Sequence, residues 1–92
     1  MEMIDILKGR LPEGLEIVKI KNKRSNSQTE ILFKYKDTEG TGYLWKMCAP
    51  GHENNVCDAT IFNVMAGISF KRGDLEATKY WLDKMKVDQE GD

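Results

Sequence analysis

Between residues 17 and 48 lysines alternate with large apolar residues, as in Ile31-Leu32-Phe33-Lys34-Tyr35-Lys36 and Tyr43-Leu44-Trp45-Lys46-Met47. A period of two, rich in aromatic and β-branched residues, predicts strands with one dry and one wet face. Strands are predicted over residues 15–21, 30–36 and 43–48. Residues 22–28 contain no apolar side chain and read as an exposed, basic and polar loop. Residues 37–42 supply two glycines, which a hairpin loop uses for positive φ.

Helical spacing occupies both ends. Ile4, Leu7 and Leu11 fall at i, i+3 and i+7, which predicts a helix over about residues 2–10 that stops before Pro12 and Gly14. Residues 49–53 break the strand pattern, and Asn54 or Asn55 is the expected cap of a helix running from 56 to about 71. Ile61, Val64, Met65 and Ile68 share one face there, with Phe62, Ala66 and Phe70 beside it, so this helix is expected to be buried on more than one side. Gly73 is the expected stop and Asp74 the cap of a last helix through Leu75, Thr78, Leu82 and Met85. A helical hairpin over about residues 55–86 follows, with a frayed acidic tail over 87–92. The turn Phe70-Lys71-Arg72-Gly73-Asp74-Leu75-Glu76-Ala77, followed by Tyr80, resembles the inter-helix turn of a tetratricopeptide-type hairpin. It occurs once, and a solenoid needs several stacked copies, so it implies a helical hairpin alone.

The expected fold is therefore α+β, a single domain over residues 1–92. A three-stranded antiparallel meander is covered on one face by helices, in the order α-β-β-β-α-α. The first five elements follow the order of double-stranded-RNA-binding domains, but Glu53-Asn54-Asn55-Val56-Cys57-Asp58 stands where that family opens its helix with a basic, small-residue signature. The similarity is one of element order.

The register of the second hairpin decides which side chains are wet. If Lys34 faces Lys46, then Phe33, Tyr35, Trp45 and Met47 share the core side and the lysines gather outside. If Gly40-Thr41 forms a two-residue turn, Lys36 lies opposite Trp45, and lysine interleaves with aromatic on one face. The first register is preferred, because burying Trp and Tyr surface outweighs turn preference. An exposed Trp45 beside lysines would instead be a stacking platform for bases.

Bulk composition narrows the classes. In 92 residues, 14 basic and 15 acidic side chains give a net charge of −1, and 40% hydrophobic content suits a folded domain rather than a disordered or polyanion-coating chain. The sign is uneven: residues 17–46 carry seven Lys or Arg against three acids, and residues 51–92 carry eight acids against five bases. Met1-Glu2-Met3-Ile4-Asp5 lacks the basic and continuously apolar character of a signal peptide, and no run reaches membrane-span length. With two cysteines, this leads to an expected cytoplasmic setting, free thiols and no membrane.

Candidate chemistry is sparse. Cys48, His52 and Cys57 form a C-x3-H-x4-C cluster with zinc-compatible donors but no paired knuckles, so no metal is expected and these three are the weak candidates. Cys57 falls in the first turn of a helix, where the dipole would lower its pKa, yet no orienting group accompanies it. Glu39-Gly40-Thr41-Gly42 lacks the lysine and helix of a phosphate loop. No catalytic residues and no cofactor are expected. The candidate binding residues are Lys19, Lys21, Lys23, Arg24, Lys34, Lys36 and Lys46. The leading expectation is a non-enzymatic interaction protein that docks a protein partner through charged patches, similar in general appearance to the inhibitor and accessory proteins of phages and mobile elements. The alternatives are a nucleic-acid-binding domain using the lysine-rich sheet face, and a Cys/His zinc or thiol site.

Overall fold

A computed structural model describes residues 2–22 and 27–90, with side chains described for 2–21 and 27–86. Its elements are α1 (Met3–Lys8), β1 (Leu15–Asn22), β2 (Gln28–Tyr35), β3 (Thr38–Trp45), α2 (Glu53–Lys71) and α3 (Leu75–Glu90). The order is α-β-β-β-α-α, with a single open antiparallel sheet in the order β1-β2-β3. The expected α+β class and meander hold. The tail differs, since α3 continues to Glu90 rather than ending before residue 87.

The sheet departs from the sequence reading at β3, which starts five residues earlier than expected. Residues 36 and 37 alone make the turn, with Tyr35 paired to Thr38 and Gln28 to Trp45. Lys36 adopts φ 55, a left-handed conformation that disfavours a side chain by about 1–2 kcal/mol. Gly40 and Gly42, expected in the loop, lie inside the strand with buried backbones. The physical reason is the helix above them. A Cβ on Gly42 would stand 2.4 Å from Val64 Cγ2 and 2.9 Å from Phe33 Cε2, and one on Gly40 would stand 2.7 Å from Ile68 Cγ1. The glycines serve close helix–strand approach instead of turn geometry.

The first strand is irregular at its centre. Strict alternation would put Lys19 and Lys21 on the side of Leu15 and Ile17. A bulge at Val18 shifts the pairing from Ile17↔Phe33 to Lys19↔Leu32, so Ile20 turns inward and both lysines turn outward.

The core lies between the sheet's inner face and the helices. Leu7, Leu15, Ile31, Phe33, Leu44, Cys57, Ile61, Val64, Met65 and Ile68 are buried together. Helix α2 packs on β3, α1 and α3, as its nearly uninterrupted apolar sequence requires. Its expected Asn cap is absent: the helix begins at Glu53, and His52 occupies the cap position with no side-chain cap bond. At the other end Gly73 takes φ 77, the Gly73 N–H donates to Phe70 O, and the Asp74 N–H donates to Ser69 O. That pair of bonds is a Schellman closure, and Asp74 Oδ1 then accepts from the Ala77 N–H at 3.0 Å to start α3.

Four side-chain links tie the layers. Arg10 grips Asp58 with two bonds of 2.7 Å, joining the α1 exit to α2. Arg72 pairs with Asp37, joining the two tight turns. Along the side of β3 that faces away from β2, Thr60 Oγ1 donates to Tyr43 O at 3.0 Å and Lys71 Nζ donates to Glu39 O at 2.9 Å.

One substitution should have opposite effects at two glycines. Gly42→Ala should destabilise the fold by about 1–3 kcal/mol through overpacking against Val64. Gly67→Ala, on an exposed flank of α2 where a Cβ meets nothing within 4 Å, should stabilise it by about 0.5–1 kcal/mol. Urea denaturation midpoints of the two variants check both signs.

Candidate interaction surface

Pairing across three strands sets the outer face in rows. Glu16, Lys34 and Glu39 form one row, Lys19, Leu32 and Thr41 the next, and Lys21, Glu30 and Tyr43 the third; Gln28 and Trp45 close the face. The preferred pairing of Lys34 with Lys46 does not form. Trp45 shares its face with outward lysines, at 48% exposure, and Tyr43 stands beside it at 50%. Burial of these rings would have put Gly40, Gly42 and Leu44 outside, leaving α2 without the flat surface it packs on.

The seven candidate binding residues are not brought together. Lys19, Lys21 and Lys34 project from the outer face. Lys36 occupies the turn, its Nζ 5.5 Å from the Tyr35 ring centroid. Lys46 follows β3, with its backbone N–H donating to Ser27 O. Lys23 and Arg24 lie outside the described residues. Two of the three outward lysines are matched by glutamates, while Lys19 lies opposite Leu32: Glu16 and Glu39 flank Lys34, and Lys21 Nζ lies 3.6 Å from Glu30 Oε2. The outer face is aromatic and charge-balanced, where a basic surface was expected.

Trp45 also borders a cleft of about 450 Å³ between α1 and the inner sheet, where Met3, Ile4, Ile20 and Leu44 supply apolar walls. Beyond the strand Met47 is almost fully exposed. The sequence reading missed this cleft, because α1 reaches the sheet only through the fold. The outward turn of Trp45 was visible in the alternation Gly40, Gly42, Leu44 against Thr41, Tyr43, Trp45, once glycine is counted as an inward residue.

Both cysteines of the cluster pack on Met3, while the histidine stands in solvent. Cys57 is buried, its Sγ 3.6 Å from Met3 O; Cys48 is half-buried, its Sγ 3.9 Å from Met3 Sδ; His52 is exposed. Both thiols are free. Among the described residues no three His, Cys, Asp or Glu side chains gather as a metal-holding group. The expected lowering of the Cys57 pKa is reversed. Burial, with a smaller contribution from Asp58, pushes the thiol from its ordinary 9.0 up to about 11. A nucleophile needs the opposite shift.

No protein-family model, curated protein or solved structure matches the chain. Among the described residues no helix is long and apolar enough to cross a membrane.

The thiol gives a pH-dependent expectation. The fold favours protonated Cys57, so this contribution to stability is whole below about pH 9 and is lost as pH rises through about 11. Urea denaturation of wild type and Cys57→Ala from pH 8 upward should show a steeper alkaline loss in wild type. A thiol reagent should label Cys48 first, with Cys57 reacting only as the chain unfolds.

Proposed function

We propose that this chain is a non-enzymatic interaction domain that docks a protein partner through the outer sheet face, in the manner of an accessory or inhibitor protein. Half-exposed Tyr43 and Trp45, side by side on a rigid strand, carry this reading. Tyr and Trp are the side chains that most often dominate protein interfaces, because they bury large area at little entropic cost. The matched Lys and Glu rows around them fit a polar rim that orients a protein partner. The cleft beside Trp45, where Glu2, Lys8 and Lys46 join the apolar walls, offers a recess for a partner side chain.

The second reading is single-stranded nucleic acid, favoured by the exposure of Trp45 on the same sheet face as Lys19 and Lys21. Stacking on aromatics suits it, but such binders add a basic groove for the backbone. Here the outer face carries three glutamates for its three lysines, and this electrostatic shortfall puts the protein partner first.

Paired variants and salt separate the two. Tyr43→Ala and Trp45→Ala should each weaken a protein complex by about 2 kcal/mol, read by calorimetry on a partner captured with wild type and lost with the double variant. Raising salt should weaken that complex only modestly. Tight binding of an oligothymidylate, with an affinity that falls steeply with salt and vanishes in Lys19→Glu/Lys21→Glu, would replace the protein reading with the nucleic-acid one.

A further inference from the structure

A second unpartnered surface lies on the helical hairpin, away from the sheet. Phe70, Leu75 and Leu82 each keep half or more of their surface in water. Helix α3 contacts α2 through Trp81, whose ring centroid is 5.8 Å from that of Phe62. With that contact as the line between two antiparallel helices, the 3.6-residue period puts Phe70 and Gly67 of α2 and Leu75 and Leu82 of α3 on one side of the hairpin. The α2 wall of this groove is low, because Asn63 and Gly67 are small and a Cβ on Gly67 would meet nothing within 4 Å. A helix could therefore approach closely.

Charge selects what fits. Residues 59–70 of α2 contain no charged side chain, so one wall of the groove is neutral for three turns. On the other wall Lys79 and Lys86, one heptad apart and both exposed, stand next to Leu75 and Leu82. Glu76 and Asp83 are turned a step further from the groove by the same period. An apolar trough with a basic rim complements an amphipathic helix whose flanks are acidic. We infer that the α2–α3 groove docks an acidic amphipathic helix of a partner protein, with Phe70, Leu75 and Leu82 receiving its apolar stripe and Lys79 and Lys86 its carboxylates. This surface is separate from Tyr43 and Trp45, so the sheet-face reading can fail without it.

A synthetic amphipathic peptide of about 18 residues, leucine on one face and glutamate on the other, is the probe. Titrated into the full chain, it should gain helicity by circular dichroism and shift the amide resonances of Phe70, Leu75 and Leu82. Its lysine-for-glutamate counterpart should bind at least about tenfold more weakly. Leu75→Glu/Leu82→Glu, both at exposed positions, should lose the peptide, whereas Tyr43→Ala/Trp45→Ala should bind it as wild type does. Lys79→Glu/Lys86→Glu should reverse the preference between the peptides. Absence of binding, equal binding of the two peptides, or self-association of the chain through Leu75 and Leu82 in sedimentation would each overturn the inference.

Discussion

The contact between β3 and α2 governs this fold. With no side chains on Gly40 and Gly42, Val64 and Ile68 sit directly against the strand backbone. That approach requires the even-numbered residues of β3 to face inward. It thereby fixes the register of the hairpin, the use of Lys36 and Asp37 as the turn, and the outward direction of Tyr43 and Trp45. The cost of a left-handed lysine at position 36 is borne because moving the glycines into the turn would drive side chains into α2. A packing demand in the core thus determines the chemistry of the opposite surface.

The architecture was legible in the sequence where periodicity was long. Strand alternation, the apolar run of α2 and the Gly73-Asp74 punctuation identified the elements, their order and the helical hairpin. The failures were local and shared a cause. Two glycines close together read as turn residues by propensity, yet their role was set by a helix some twenty residues later in the chain. The Val18 bulge was hidden for a similar reason: only pairing with β2 reveals that Ile20 and Ile17 must both face the helices. The charge balance of the outer face followed from that register, since Glu16, Glu30 and Glu39 become neighbours of lysines only across strands. A count along the chain sees the lysines and misses the pairing.

The two helices after the sheet differ in kind. Helix α2 is enclosed by β3, α1 and α3, whereas α3 has no fully buried side chain among its described residues. It packs along the length of α2, where the Phe62–Trp81 contact is joined by Lys84, whose Nζ lies 5.7 Å from the Phe62 ring centroid. An element without a fully buried side chain opens at a lower free energy than the core, and this one also leaves Leu75 and Leu82 exposed.

A sheet that displays tyrosine and tryptophan invites runaway stacking of like chains, and here both borders are guarded. On β1 the Val18 bulge breaks the straight ladder and lysines repel a neighbour. On β3 the hydroxyl of Thr60 and the ammonium of Lys71 already occupy outward carbonyls. A main-chain template for amyloid-like growth is thereby denied at either border. Under the proposed function, recognition on this sheet falls to side chains, which read shape and sequence, rather than to backbone, which accepts any strand.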